Sequence, residues 1–320
     1  MENALYREGG FFVRANDGPA DHFRTSVHAS PLFAGAMMRL MREVDEALDH
    51  PRHLDVVDVG AGRGELLTTL TALLGDEAQR IRFTGVDLAA RPAGLDPRIT
   101  WRRDVPDGVV GLLLATEWLD NVPLDVAELD DHGRLRQVLV DPPTGAETLG
   151  GPPDAADLAW LSRWADLREP GDRAEIGRPR DVAWAGAVAK VRRGCALAVD
   201  YGHLRDHRPP HGTLTGFRGG RQVPPVPDGS CDITAHVAMD SAAGAAGTPY
   251  RLTSQRTALK ALGVDGARPP LDLARTDPPA YLRALSAASA AAELIDPAGL
   301  GGHWWLLHTL GTGHRGSMVG

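Results

Sequence analysis

The chain has 320 residues, 43% of them hydrophobic and 24% charged, enough to bury one large core or two modest ones. Its 34 Lys and Arg against 42 Asp and Glu leave a net charge of −8, which argues against a general nucleic-acid binder. The two cysteines form no bridge framework and no metal-ligand spacing, no apolar run approaches the roughly 18–20 residues that span a bilayer, and no leader precedes the first element. A cytoplasmic protein with no metal site and no membrane insertion is therefore expected.

Strand and helix signals alternate along the chain, the pattern of an α/β layered fold. LDVVDVG (54–60) reads as a buried strand and ELLTTLTALLG (65–75) as a helix, with Leu66, Leu67, Leu70, Leu73 and Leu74 on one side and Gly75 ending it. IRFTGVD (81–87), ITWRRD (99–104) and VVGLLLATE (109–117) are the next three strands. VAELDDHGRLRQVLV (126–140) has two strand-like runs around Asp131, His132 and Gly133, which predicts an inserted hairpin. A helix over Asp181–Arg193 feeds the strand CALAVDYG (195–202). A long Pro/Gly-rich loop over 203–229 follows, then a helix capped by Asp232. YRLTSQ (250–255) and HWWLLHTL (303–310) are the last strands, with an Ala-rich helical insertion between them.

The stretch VDVGAGRGEL (57–66) is a strand ending at a glycine turn that opens a helix, a geometry expected to aim backbone N–H groups at a ligand. Gly60, Gly62 and Gly64 make G-x-G-x-G, and Glu65 stands where the nicotinamide fingerprint needs its third glycine. The spacing favours S-adenosyl-L-methionine (SAM). Asp58 is placed to reach the ammonium end of its methionine part, Asp87 the ribose hydroxyls, and Asp104 the adenine amino group. Ala61, Leu88 and Thr116, beside these positions, complete the expected cofactor set.

A second cluster, LLLATEWLDNVPLDV (112–126), puts Glu117 and Asp120 directly beyond an apolar strand, at the edge where open α/β sheets bind ligands. Both carboxylates suit the planar fork of a guanidinium, with Glu175 as a third candidate. His28 and His236 are candidate proton acceptors for an oxygen substrate.

Taken in order, FRTSVHASPLFA (23–34), VVDVGAGRGEL (56–66), TEWLDNVPLDV (116–126), AEIGRP (174–179), LAVDYGH (197–203), GTLTGFR (212–218) and CDITAHV (231–237) resemble the motifs of MidA-like SAM-dependent methyltransferases. That family includes mitochondrial members that methylate arginine on a complex I subunit. The resemblance implies a seven-stranded, Rossmann-like class I methyltransferase sheet with inserted helical and hairpin elements, residues 1–53 covering the cofactor site and 54–320 forming the core. Glu117 and Asp120 are kept from the family pattern, and with His28, read from its chemistry, they are the catalytic candidates. The chain departs from the family where Thr25, Ser26, Val27 and His28 replace T-S-P-E, and where Thr116–Pro123 replaces N-E-F-F-D-A-L-P. The methyl acceptor is accordingly expected to be a protein side chain, arginine first. A small-molecule oxygen or nitrogen, or an assembly factor that binds SAM without transfer, are the alternatives. The loop over 203–229 and the segment 23–33 are expected to cover the open side of the cofactor site.

Overall fold

A computed structural model describes residues 1–13 and 25–312. The chain divides into two compact units rather than at residue 53. A sheet unit holds Thr25–Thr116, Lys190–Val199 and Pro249–Gly320, and a hairpin unit holds Met1–Arg24, Glu117–Ala189 and Asp200–Thr248. The amino-terminal 53 residues are thus shared between the two.

The sheet unit is built on strands β1 (Leu54–Val59), β2 (Ile81–Val86), β3 (Ile99–Arg102) and β4 (Val109–Thr116). With Val191–Asp200, Trp304–Leu310 and Tyr250–Ser254 they make a seven-stranded sheet in the order Tyr250–Ser254, Trp304–Leu310, Val191–Asp200, β4, β1, β2, β3. β1 pairs in parallel with both β2 and β4, and β4 with Val191–Asp200. The order of the strands therefore reverses direction at β1, and a sheet of this kind binds ligands outside the carboxyl end of that strand. This is the expected α/β class I methyltransferase sheet.

Burial explains the elements. β4 is buried at every residue but its last, as a strand covered on both faces must be. The helix Glu65–Leu74 buries Leu66, Leu67, Leu70, Thr71 and Leu74, a helical stripe. Leu73, expected on that stripe, is 48% exposed, because Thr71 holds the inward position and bonds back to the Leu67 carbonyl. The helix Pro31–Ala47 buries Phe33, Met37, Leu40, Met41 and Val44 in the same core. In the Ala-rich insertion, Asp277 caps the helix Pro278–Leu294 by accepting from the Ala280 N–H at 2.9 Å.

The hairpin unit contains the predicted hairpin, Val126–Leu129 against Leu135–Val140, within a four-stranded sheet that also holds Glu147–Leu149 and Arg173–Glu175. The expected helix capped by Asp232 is a strand, Asp232–Thr234, paired antiparallel with Thr215–Arg218, and the helix begins later, at Met239. The long loop is also more ordered than expected, since Thr215–Arg218 and Arg221–Val223 form a hairpin inside it. The helix expected over 181–193 spans Arg178–Ala189, because Val191 already pairs with Val109 in the sheet. Among the described residues no helix is long and apolar enough to cross a membrane.

Candidate functional site

The turn after β1 lies at the strand-order reversal. Gly60, Gly62 and Gly64 all take left-handed backbone conformations, with φ of 73°, 57° and 80°. A Cβ on Gly64 would collide with Leu95 at 2.7 Å, whereas one on Gly62 would meet nothing nearer than Glu65 Oε2 at 3.5 Å. A Cβ would thus fit over Gly62 in ordinary contact, while its backbone conformation disfavours any side chain.

The turn does not present its N–H groups as expected. Gly60 and Ala61 donate to the Val86 carbonyl, Gly64 to the Ala61 carbonyl, Gly62 to Asp87 Oδ2 at 2.9 Å and Arg63 to Glu65 Oε2 at 3.0 Å. Glu65 stands at the first helical position, and its carboxylate takes the Arg63 N–H, one of the donors that a phosphate would otherwise take. Asp58, Glu65 and Asp87 make this an acidic turn, hostile to a pyrophosphate and suited to a donor carrying ammonium and sulfonium charge.

Asp58 is 4% exposed and accepts no hydrogen bond from the described residues. Burial, then Glu65 and Asp87, push its carboxyl up to about 8. Asp87 accepts from Gly62 and, at 2.9 Å, from Ala89, but burial still raises it above the ordinary carboxylate range. Burial also opposes ionisation of Glu65, yet the His28 bond and backbone N–H groups outweigh it and hold Glu65 low.

His28 is engaged on both ring nitrogens, Nδ1 with Thr25 Oγ1 at 2.6 Å and Nε2 with Glu65 Oε1 at 3.3 Å. This chain of contacts ties the segment from Thr25 to the glycine turn. The ring supports the turn rather than standing open as a base. Phe23 and Arg24 of the same expected covering segment lie outside the described residues. Leu88 is 52% exposed beside Asp87, Asp104 is exposed after β3, and Thr116 ends β4 with its hydroxyl oxygen buried and without a hydrogen bond.

In the hairpin unit the chain continues from β4 into Glu117, which has φ 51°, left-handed for a residue that carries a Cβ. The short turn Leu119–Asn121 follows, and Asp200 Oδ2 accepts from the N–H groups of Leu119 at 3.0 Å and Asp120 at 3.2 Å. Asp120 is fully buried, and its Oδ2 accepts from the Tyr201 hydroxyl and from Thr234 Oγ1. Burial raises the Asp120 carboxyl; burial, then Asp120 and Glu117, raise that of Asp200 far more.

Sequence reasoning passed over Arg180. Its guanidinium, 1% exposed, donates to the carbonyls of Asp120, Val122, Ala235 and His236. It therefore ties the 120–122 segment to the 235–236 segment, both within the motifs singled out above. Asp232 extends the network by accepting from Asn121 Nδ2 at 2.9 Å. Glu175 accepts from the backbone of Thr213 and Leu214 and so organises the 212–214 loop. His236 is exposed, edge-on to Tyr201 at 5.4 Å.

Residues 36–256 match a family model described as "Putative S-adenosyl-L-methionine-dependent methyltransferase". Among solved structures, a COG1565 superfamily member from Burkholderia thailandensis bound to S-adenosyl-homocysteine is 27% identical, with a TM-score of 0.80 over 98% of this chain and 87% of that one. A native structure of a COG1565 superfamily protein from Burkholderia thailandensis is also 27% identical and gives 0.78 over the same shares. No curated protein matches the chain.

Proposed function

Because the chain belongs to this family of SAM-dependent methyltransferases, we propose that it transfers the methyl group to a protein side chain, an arginine nitrogen being the favoured acceptor. Its donor is SAM. We assign Asp58 to the α-ammonium group, Asp87 to the ribose hydroxyls, Leu88 and Asp104 to the adenine, and Gly60, Ala61, Gly62, Gly64 and Thr116 to the walls of the donor site. The acidic side chains of the turn and the room for a Cβ over Gly62 support this assignment.

The observation that carries the acceptor reading is Glu117. A left-handed residue with a Cβ costs roughly 1–3 kcal/mol and persists where its surroundings over-determine it, commonly at functional sites. Asp200 bonds the turn that follows it and Arg180 bonds the carbonyls beyond, which makes Glu117 a preorganised carboxylate. We read Asp120, closed in by Tyr201 and Thr234, as a positioning residue, and His28 as a support of the turn.

The chemistry is an in-line displacement. When bound, the cofactor supplies a methyl carbon activated by its sulfonium, so the C–S bond breaks as the C–N bond forms. The chain's own work is to align the nucleophile and exclude water. Glu117 orients the guanidinium, neutralises its charge, and accepts the proton that the methylated nitrogen releases.

The test is to identify the methylated protein by mass spectrometry and then assay Glu117→Gln and Asp120→Asn at saturating SAM. Glu117→Gln should keep SAM affinity and lose at least tenfold in transfer, since an amide presents donors to a donor. If both variants match the parent rate, or if the modified atom is a hydroxyl oxygen, the arginine reading fails. The closure of Asp120 favours a second reading, an assembly factor that binds SAM without transfer, and absence of S-adenosylhomocysteine release with cell extract would support it. The resemblance to MidA-like enzymes supports a protein acceptor, and two buried cysteine thiols support a cytoplasmic setting.

A further inference from the structure

We infer that the Asp58 carboxyl is neutral in the cofactor-free protein and ionises when the donor's α-ammonium group arrives, so that donor binding expels one proton to solvent. The inference rests on the assignment of Asp58 to that ammonium group. Its basis is a buried acid that, among the described residues, has neither a hydrogen bond nor a facing cation. In register on either side of Asp58 stand Gly85 and Leu114, which bring no charge. The charged groups facing it are Glu65 from the following helix and Asp87 from the end of β2, both acidic. His28, the nearby cation former, is already held by Glu65, and Arg82 of β2 bonds Asp55 at 2.8 Å near the other end of β1.

A buried carboxyl that accepts no hydrogen bond among the described residues and is flanked by acidic side chains keeps its proton, in line with its upward displacement to about 8. An ammonium group brought within hydrogen-bond reach reverses that preference. The neutral acid and the ammonium ion become a carboxylate–ammonium pair, and the acid's proton leaves. Nothing is oxidised or reduced, and charge balances through the released proton. Affinity for the donor should therefore rise with pH up to about 8, because each unit below that costs up to tenfold.

Calorimetry at pH 6.5, in phosphate and in imidazole buffers of different ionisation enthalpy, measures the release directly. SAM and S-adenosylhomocysteine, which both carry the ammonium group, should each release about one proton on binding. 5′-Methylthioadenosine, which lacks the amino-acid part, should release none. Asp58→Asn should abolish the release, and its affinity deficit for SAM should widen about tenfold per unit between pH 6 and 7.5. Binding heats independent of buffer in the parent, or proton release that survives Asp58→Asn, overturn the inference. A deficit of equal size at both pH values, with no release, means that Asp58 meets the ammonium already ionised; this sinks the inference and leaves the assignment standing. An Asp58→Asn protein that binds SAM as well as the parent at pH 7.5 sinks the assignment too. Should that variant not fold, the buffer comparison of SAM with 5′-methylthioadenosine on the parent still decides.

Discussion

The two units treat buried charge in opposite ways. In the hairpin unit, Arg180, Asp200 and Asp120 bond backbone and side chains of their own unit, although Asp120 Oδ1 and Asp200 Oδ1 are buried without a hydrogen bond among the described residues. In the sheet unit, Asp58 is buried near the end of β1 and accepts no hydrogen bond among the described residues. Burying polar groups is costly unless they are paired, so the first arrangement gives rigidity and the second gives a site that is stabilised by what it binds. One region ties its buried acids to backbone; the other, on the assignment proposed for Asp58, offers one to a cation.

The largest test of this contrast is Arg180→Met. It removes the donors from four carbonyls and leaves Asp120 and Asp200 without their cation, which should cost about 3–5 kcal/mol in a urea melt. At temperatures where the variant stays folded, SAM affinity should hold within about twofold. A loss of affinity in step with stability would erase the contrast, because it would make the clamp part of the donor site.

pH provides the next test. Burial, then the nearby Arg208, holds the His203 imidazole down to about 4, below its unfolded value near 6.5. Between those values the unfolded chain binds the extra proton, so this contribution is present above about 6.5 and is lost as pH falls towards 4. The loss amounts to at most about 3 kcal/mol. Replacing His203 by Gln should flatten the acid limb of a stability-versus-pH curve. Asp58 acts at the other end: its carboxyl is raised, so the cofactor-free chain loses stability as pH rises from about 4 through about 8. SAM should relieve that alkaline loss and leave the His203 limb in place.

Asp87→Ala comes third. It removes an acceptor that two backbone N–H groups share with the proposed ribose contact, and it should weaken SAM binding by about 1–3 kcal/mol in calorimetry. The smallest effect is expected from Gly62→Ala. The Cβ has room, so the cost is the left-handed backbone, about 1 kcal/mol in a thermal melt, with a further fall in SAM affinity as the methyl group enters the open space. A Gly62→Ala protein that binds SAM unchanged would show that the space over Gly62 is not used.

Much of the sheet unit was legible because its signals are local. The β1 run, the glycine spacing and the leucine stripe each specify their element within a dozen residues, and Asp58 and Asp87 follow from them. The hairpin unit was less legible because long-range pairings decide it. Asp232 looks like a helix cap until Thr215–Arg218 lies beside it. Arg180 looks like any surface arginine on a helix, and only the folded backbone gathers the four carbonyls that bury it. The engaged N–H groups of the turn were hidden for a related reason: the identity of Glu65 is visible in the sequence, but its carboxylate reaching back to Arg63 is not.

The burial of β4 along nearly its whole length also bears on how the protein is made. β4 carries no polar residue before Thr116, and one of its partners in the sheet, Val191–Asp200, is translated only after the intervening hairpin-unit segment Glu117–Ala189. A nascent chain therefore exposes a fully apolar strand with one unpaired edge for the whole of that interval, the condition under which like strands stick to each other. Refolding yield should fall steeply with protein concentration, and a chaperone that shields apolar strands during synthesis should matter more to this sheet than to the hairpin Val126–Val140, whose two strands are made within a few residues of each other.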